Sequence, residues 1–320
     1  MRLFLLIGLA IVLTVPAFAQ SPSQGFGDFL AGVRQEAQQA GIGSRGLAAL
    51  NGATFEADLI RLDRNQPESK LTFEKYLKNT VTPARIQRGQ ALMAEHAVLL
   101  NRIGRQYGVP PRFIVALWGK ETDFGRNTGG QNIVDALATL AYEGRRADFF
   151  RQELIQALRI IDQGHIDASA MIGSWAGAMG QCQFMPSSFF KYAVDGDGDG
   201  RIDIWGDLAD VFASTANYLR TEGWNEGLTW GREVSVPATL DQSYVGKEKQ
   251  MTLAQWSQLG VHTADDEPLP SRDLSASLVQ PDGAGGRSFL IYDNFRVLLH
   301  WNKSTYFAAS VGTLADAIGS

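Results

Sequence analysis

The stretch Pro110-Pro-Arg-Phe-Ile-Val-Ala-Leu-Trp-Gly-Lys-Glu-Thr-Asp-Phe-Gly125 predicts a helix with a carboxyl group, that of Glu121, on its apolar side. The paired prolines suit a helix start, where a missing N–H costs little, and Gly125 suits its end. Four apolar residues precede Glu121 by three, four, seven and eight positions, and helical geometry stacks them on its side: Trp118, Leu117, Ile114 and Phe113. A carboxyl group held there loses hydration, which raises its pKa towards the range of a general acid. The alternative is that Glu121 lies at the edge of an amphipathic stripe and pairs with a cation such as Arg126.

Hydrophobic periodicity along the rest of the chain predicts a mainly helical, α+β protein. Helical spacing recurs over residues 26–33, 47–50, 86–107, 133–161, 208–222 and 306–318. Short β-rich runs follow at residues 234–237, 278–280 and 288–292, with one helix near 253–259. The pattern predicts a helical body that carries a small β-containing insertion, residues 231–290, before the last helix returns to the body.

The first nineteen residues have the pattern of a secretory signal peptide. Arg2 precedes an apolar run over residues 3–13, and Ala17-Phe-Ala19 forms a small-x-small cleavage site. The alternative is an uncleaved anchor, but the run is short for a bilayer span and no second apolar segment follows. No cysteine stands at the cleavage point, so a lipid anchor is not indicated. We therefore expect residues 1–19 to be removed and the mature chain to be exported without a membrane span.

Charge and cysteine content limit the partners and the source of stability. The formal net charge is −5 and no basic cluster occurs, which argues against nucleic acid or an anionic membrane as the main partner. The lone cysteine, Cys182, cannot form an intramolecular disulfide. An exported chain of this composition therefore depends on its hydrophobic core for stability.

The loop Asp195-Gly-Asp-Gly-Asp-Gly-Arg-Ile-Asp-Ile-Trp-Gly206 follows the EF-hand pattern at its first, third, fifth, sixth and ninth positions. Spaced carboxylates on a tight turn supply the oxygen ligands that a hard cation prefers. Gly206 replaces the bidentate acid of the twelfth position, and Asp207 could substitute for it. The predicted ligands of a structural Ca²⁺ are Asp195, Asp197, Asp199, the Arg201 carbonyl, Asp203 and Asp207. The alternative is a solvated Asp/Gly turn without metal.

The segment Gly173-Ser-Trp-Ala-Gly-Ala-Met-Gly-Gln-Cys-Gln-Phe-Met-Pro-Ser187 concentrates small residues and amides before a new helix. Small residues let a ligand approach the backbone closely, and Ser174, Gln181 and Gln183 can bind its polar groups. The alternative is a tightly packed connection between helices.

Several motifs together resemble one enzyme family. They are Gly119-Lys-Glu-Thr-Asp-Phe-Gly125, Asp135-Ala-Leu-Ala-Thr-Leu140, Gly177-Ala-Met-Gly-x-x-Gln-Phe-Met-Pro-Ser-Ser188, the calcium-type loop, Ala216-Asn-Tyr218 and Trp301-Asn-Lys-Ser-Thr305. Upstream, Leu62-Asp-Arg-Asn-Gln-Pro67 and residues 76–86 also match. In this order they resemble the membrane-bound lytic transglycosylase B family of peptidoglycan-cleaving enzymes, over nearly the whole mature chain.

The resemblance implies a fold with four parts after the signal peptide. These are an N-terminal helical domain over residues 20–100, a lysozyme-like core over 101–230, a small β-containing domain over 231–290 and a C-terminal segment, 291–320, that returns to the core. A mainly α chain with a β insertion agrees with the hydrophobic pattern.

The resemblance also implies the reaction. Peptidoglycan glycan strands are cleaved at the β-1,4 bond between N-acetylmuramic acid and N-acetylglucosamine, and a 1,6-anhydro sugar is left. Glu121 matches the family's catalytic acid, which protonates the leaving oxygen and then accepts the proton of the muramyl 6-hydroxyl. The substrate's N-acetyl group meets the charge that develops at C1. The expected location is the periplasm, and the cell-wall proteins that it joins stay open.

Matching residue by residue, the resemblance implies that Ser174 and Gln183 bind around the cleaved bond, that Asn302 orients the N-acetyl group, and that Tyr76 and Tyr218 line the groove. Core packing is the alternative for Tyr218, and a turn or helix cap is the alternative for Asn302.

This chain departs from the family pattern beside Asn302. Trp301 and Phe307 stand where the best-known pattern carries tyrosines. Stacking is expected to survive these changes, whereas hydroxyl contacts are expected to be lost. Cys182 lies inside a motif at a position that tolerates small residues, and no catalytic role is expected for it.

One carboxyl group suffices for this reaction, although most glycosidases need two facing carboxylates. Asp123 is the nearest candidate, but two helical steps would turn it about 200° from Glu121. Three alternatives to a lytic transglycosylase stay open at this point. They are a lysozyme-type hydrolase that uses water, a non-catalytic calcium-stabilised peptidoglycan-binding protein, and a calcium-responsive regulator.

Overall fold

The computed structural model describes residues 22–64 and 71–320, which are mainly helical. The predicted signal peptide, residues 1–19, lies outside them. The helices up to the candidate acid are α1 (Pro22–Gln39), α2 (Ser44–Ala48), α3 (Ala57–Arg64), α4 (Phe73–Thr80), α5 (Pro83–Glu95), α6 (Ala97–Tyr107) and α7 (Pro111–Thr122). Those that follow are α8 (Ile133–Glu143), α9 (Ala147–Asp162), α10 (Pro186–Tyr192), α11 (Leu208–Thr221), α12 (Leu253–Gln258), α13 (Asp293–Trp301) and α14 (Thr305–Gly319).

The strands fall into two antiparallel sheets. They are β1 (Gln131–Asn132), β2 (Ile172–Gly173), β3 (Gly231–Ser235), β4 (Met251–Thr252), β5 (His262–Thr263), β6 (Ser275–Val279) and β7 (Ser288–Ile291). β1 pairs with β2, and the other five form one sheet in the order β4-β6-β7-β3-β5. The predicted mainly helical chain with a small β-containing insertion is confirmed.

Helix α7 runs through the interior, where it packs against α5, α6, α11 and α14. Every side chain from Phe113 to Trp118 is buried. Pro111 occupies the first turn, as predicted, because its missing N–H would have no partner there. A helix this deeply buried gives its last turn a fixed position.

The predicted end of α7 at Gly125 is wrong by three residues. The helix ends at Thr122, and Asp123, Phe124 and Gly125 all take the left-handed conformation, with φ of 52°, 62° and 79°. This turn folds Phe124 back under the helix, so that a β-carbon at Gly119 would lie 2.6 Å from its ring. Only glycine at that position permits the close return.

Two clusters of buried apolar side chains occur in the described residues. The larger runs from Phe26 to Ile318 and joins the N-terminal helices, the central helices and α14. The smaller surrounds Trp256 in the sheet region. Phe289 on β7 belongs to the larger cluster, so the sheet packs onto the helical body. The domain boundaries at residues 100, 230 and 290 stay predictions.

Glycine and proline residues explain two differences between the predicted and the observed bounds of helices and strands. The helical stretch predicted over 133–161 is two helices, because Gly144 takes a φ of 99° and ends α8. The first predicted strand extended to Pro237, but β3 stops at Ser235, two residues before Pro237, which has no N–H to donate to a neighbouring strand. Helix α13 was not predicted. Among the described residues, no helix combines the length and apolar character that a bilayer span requires.

Candidate active site

Glu121 lies half-buried in the last turn of α7, one turn after the buried side chains of Leu117 and Trp118. Its Oε1 accepts a hydrogen bond from the indole Nε1–H of Trp301 at 2.7 Å. Arg126, the cation considered from the sequence, forms an ion pair with Asp123. One polar contact of the Glu121 carboxyl group therefore runs to an aromatic N–H donor from a distant helix.

Asp123 is directed at two arginines. Its carboxylate lies 3.4 Å from Nε of Arg85 and also pairs with Arg126. The predicted turn of about 200° between Glu121 and Asp123 assumed that both lie on one helix, which is wrong. Helix α7 ends at Thr122, and Asp123 caps it in the left-handed conformation. Its ion pairs give this carboxylate a structural role, which is consistent with one catalytic carboxyl group.

The small-residue segment folds back beside α8 as a short hairpin. β2 pairs with β1, and Met179 continues the hairpin through bridges to residues on either side of it. Ser174 is half-buried at the turn, and its Oγ accepts the N–H of Ala178 at 3.0 Å. This contact leaves the Ser174 hydroxyl hydrogen as a donor for a ligand.

The two glutamines of this segment have different roles. Gln181 accepts the indole N–H of Trp118 at 2.7 Å and donates to the Trp205 carbonyl at 2.9 Å, so its amide group is a structural link. Gln183 donates to the carbonyls of Thr128 and Gly180 at 3.1 and 3.0 Å. Only the side-chain carbonyl of Gln183 is left to accept from a ligand.

A cation and three aromatic rings lie on the α4 side of Glu121. Nζ of Lys120, the residue before Glu121, lies 5.2 Å from the ring centroids of both Tyr76 and Phe307. The Tyr76 ring in turn lies 5.7 Å from that of Tyr306. Phe307 thus contacts a cation with its ring, and the expected stacking at this position stays a prediction.

Trp301, which donates to Glu121, belongs to an aromatic stack. Its ring centroid lies 4.6 Å from Tyr218 and 5.4 Å from Phe184, and Tyr218 lies 4.1 Å from Tyr192. Tyr218 is only 8% exposed, and burial raises the pKa of its hydroxyl group. The structure therefore places Tyr218 between Trp301 and Tyr192 in this stack.

Asn302 follows the last residue of α13 as its C-cap. Its N–H reaches the Leu298 carbonyl at 3.1 Å, and its side-chain Oδ1 accepts the N–H of Ser304 at 3.0 Å. The turn considered from the sequence is therefore present. This turn uses the side-chain oxygen of Asn302 and leaves its Nδ2 hydrogens as donors for a ligand.

Cys182 is a buried side chain of the same segment. Its Sγ donates to the Val211 carbonyl at 3.4 Å, and burial raises the pKa of the thiol to about 12. A thiol held in this protonated form is a packing group, in line with the expectation of no catalytic role.

The acidic loop, residues 195–206, and helix α11 bring three carboxylates together. Among the described residues, one carboxylate oxygen from each of Asp195, Asp197 and Asp210 lies within 4.8 Å of the other two. Asp210, on α11, is 2% exposed, and its two oxygens accept the N–H groups of Gly196 and Asp203. Burial raises the pKa of Asp210. A buried carboxylate facing two others is costly without a cation, so this oxygen set fits a hard metal ion.

Asp207 is not part of this cluster. Its Oδ1 accepts the N–H groups of Ala209 and Asp210 at 2.6 and 3.2 Å, so it is the N-cap of α11. The structure thus gives Asp207 a capping role, and its role as a calcium ligand stays a prediction. Asp210, three residues later, supplies the carboxylate that faces the loop.

The transglycosylase SLT domain family model matches residues 25–316. The chain belongs to this family. It is 37% identical over 247 residues to membrane-bound lytic murein transglycosylase B of Escherichia coli (strain K12), an alignment that covers 76% of this chain and 66%, just under two thirds, of that protein.

Solved transglycosylases share the fold. SltB3 from Pseudomonas aeruginosa, in complex with NAG-anhNAM-pentapeptide, is 42% identical with a TM-score of 0.89, over 93% of this chain and 80% of that one. The Escherichia coli lytic transglycosylase Slt35, in complex with calcium, is 32% identical with a TM-score of 0.76, over 95% of this chain and 94% of that one. The predicted family resemblance is confirmed.

Three features of this chain were not predicted from its sequence. The Trp301 hydrogen bond joins residues 180 positions apart, which no spacing signals. The position of Lys120 between two rings depends on α4 and α14 meeting α7. Asp210 had a signal, since it lies between apolar residues in a helix that is buried along most of its length.

Proposed function

We propose that this protein cleaves the β-1,4 bond between N-acetylmuramic acid and N-acetylglucosamine in peptidoglycan and leaves a 1,6-anhydro end. The observation that carries the proposal is the Glu121 carboxyl group, half-buried at the end of α7 with Trp301 donating to it. The nearest carboxylate in sequence, that of Asp123, is held by Arg85 and Arg126. Glu121 therefore serves as both acid and base.

The reaction balances without water. The Glu121 proton moves to the glycosidic oxygen as the bond from C1 to that oxygen breaks, and the substrate's N-acetyl group meets the charge at C1. The Glu121 carboxylate then takes the proton of the muramyl 6-hydroxyl, and the oxygen of that hydroxyl bonds to C1. The acid is restored, and the product is lighter than a hydrolysed sugar by one water.

The proposed binding groups are the polar atoms that the fold leaves unused and the nearby rings. Nδ2 of Asn302 donates to the N-acetyl carbonyl, while the Ser174 hydroxyl and the Gln183 carbonyl contact the sugars beside the cleaved bond. The rings of Tyr76 and Tyr218 flank the strand, with Tyr218 acting largely through Trp301. Because its substrate lies outside the cytoplasm, the protein is proposed to work in the periplasm.

Mass analysis of muropeptides released from purified murein sacculi tests this function. The proposal expects anhydro-ended disaccharide peptides as the major products of the wild-type protein. Release of reducing-end products would show a lysozyme-type hydrolase instead. Binding to sedimented murein without any release would show a non-catalytic protein.

We further propose that the acidic loop holds a structural Ca²⁺. Asp195, Asp197 and Asp210 would supply carboxylate ligands, with Asp199, Asp203 and the Arg201 carbonyl as further oxygen sources. The cation would hold the loop against α11, whose other end carries Tyr218 towards the candidate active site. It takes no part in the cleavage step.

Calcium is expected to stabilise the fold through Asp210 and not through Asp207. At calcium about 100-fold above its Kd, binding adds about 2.7 kcal/mol to the free energy of unfolding. Asp210→Asn should lose most of the calcium-dependent rise in Tm, measured against chelator by thermal scanning. Asp207→Asn is the matched control, since asparagine also caps helices, and it should keep that rise. If Asp207→Asn lost the calcium-dependent rise in Tm and Asp210→Asn kept it, Asp207 would be the ligand. A large conformational change on chelation would favour a calcium-responsive regulator.

A further inference from the structure

The hydrogen bond between Trp301 and Glu121 distinguishes the two oxygens of the catalytic carboxyl group. An indole nitrogen can only donate, so the oxygen that it contacts must accept. That oxygen is Oε1 of Glu121, at 2.7 Å from Nε1 of Trp301. In a neutral carboxyl group the carbonyl oxygen is the better acceptor, so this hydrogen bond favours Oε1 as the carbonyl oxygen and Oε2 as the oxygen that carries the acidic hydrogen.

We propose that Trp301 is a positioning residue for the transglycosylase reaction, which holds the Glu121 carboxyl group in one orientation and favours its transferable proton on Oε2. The inference rests on the proposed function. It assigns a polar task to a position where stacking alone was expected from the sequence.

Trp301 is held firmly enough for this task. Its ring packs on Tyr218 and Phe184, and Tyr218 packs on Tyr192. The Tyr192 hydroxyl donates to Glu222. Glu222 is itself fixed by Lys191 at 2.9 Å and by Nδ1 of His300 at 2.9 Å, and His300 is the residue before Trp301. Turning the indole away from Glu121 would therefore disturb both the stack and the ion pairs behind it.

Helix α13, which ends at Trp301, is also anchored to the sheet. Arg296 donates to the Lys247 carbonyl at 2.6 Å and to the Ser277 hydroxyl at 3.0 Å. The helix begins two residues after β7, so its start is fixed by the sheet as well. The β-containing insertion thus helps to set the direction of the indole N–H.

The hydrogen bond contributes more as the reaction proceeds. When Glu121 gives up its proton, the carboxyl group becomes a carboxylate, and a hydrogen bond to a charged acceptor is about twice as strong as one to a neutral acceptor. An interaction that strengthens on the way to the transition state accelerates the step. Trp301 therefore makes Glu121 a better acid without taking or giving a proton itself.

The test replaces the donor atom and keeps the ring. Benzothienylalanine, introduced at position 301 by stop-codon suppression, has the shape of tryptophan with sulfur in place of the N–H. Loss of a hydrogen bond to a charged group predicts that kcat/KM on purified glycan strands falls by roughly 10- to 100-fold. The variant Trp301→Phe should show at least this loss, with a lower Tm because a smaller ring leaves a gap.

The pH profile separates positioning from packing. The N–H favours the ionised carboxyl group, so its removal favours the protonated form. Cleavage begins from the protonated form, and the alkaline limb of the kcat/KM profile should therefore move to higher pH in the isostere variant. A residue that acts only by packing would leave the limb in place.

Tyr192→Phe is the control in the same stack, because it removes the hydroxyl contact to Glu222 without touching Glu121. It is expected to lower Tm and to leave the alkaline limb unmoved. Wild-type kcat/KM and an unmoved limb in the isostere variant would overturn the inference, whatever the phenylalanine variant does. Failure of the wild-type protein to form anhydro products would instead refute the proposed function.

Discussion

Glu121→Gln is expected to abolish glycan cleavage and to leave murein binding intact. The glutamine side chain has nearly the same shape, and its carbonyl oxygen can still accept the Trp301 N–H. It has no proton of the required acidity to give to the leaving oxygen and cannot then act as the base. General acid–base catalysis contributes about 10²–10⁴-fold, and one residue serves both steps here, so the rate should fall by about 10⁴-fold. Release of soluble muropeptides and co-sedimentation with murein measure the two properties.

Asp123→Asn is the matched control for this loss. Asparagine tolerates the left-handed conformation that Asp123 adopts and removes only the charge facing Arg85 and Arg126. Because that charge has a structural role, the rate is expected to change by less than about tenfold, the effect of about 1.4 kcal/mol on the barrier. Equal losses in the two variants would indicate a mechanism with two carboxyl groups.

Gly129→Ala is expected to cause a large loss of stability and activity through the hairpin that carries Ser174. Gly129 has a φ of 103°, and a β-carbon there would lie 2.0 Å from the Gly173 carbonyl oxygen. Alanine is strained at this positive φ, and the clash with Gly173 can be relieved only if β1 moves away from β2. The cost is about 3 kcal/mol or more in the free energy of unfolding. The same movement pulls on Thr128, which accepts from Gln183.

The neighbouring Gly130→Ala is the control for this effect. A β-carbon at Gly130 meets nothing within 4 Å, and its φ lies outside the left-handed region. Its free energy of unfolding, from denaturant titration, should stay within about 0.5 kcal/mol of wild type. If the two alanine variants were equally stable, the pairing of β1 with β2 would not hold the hairpin in place.

The start and the buried face of α7 could be predicted from the sequence, because the apolar period and the paired prolines act locally. The catalytic role of Glu121 stays a proposal. The end of α7 was not predictable in the same way. Asp123 and Phe124 both adopt left-handed conformations, which phenylalanine rarely chooses, and the packing of Phe124 beneath Gly119 holds the turn in place. Local propensity cannot report such contacts.

The calcium loop also combines local features that the sequence predicts with contacts that only the fold determines. Its spacing identified Asp195 and Asp197 as candidate ligands, since the loop pattern is local. The last carboxylate depended on how α11 begins, where Asp207 is used as the helix N-cap and Asp210 faces the loop. Likewise, the contact between Trp301 and Glu121 requires α13 to reach the end of α7, which only the assembled fold determines.

Cleavage of murein in water enriched in oxygen-18 tests the central claim most directly, namely that one carboxyl group and the substrate's own hydroxyl replace water. The account predicts that the new muramyl ends are anhydro sugars without the heavy isotope, and that Glu121→Gln forms almost none of them. New ends that carry oxygen-18 at C1 would contradict it, because water would then have attacked that carbon.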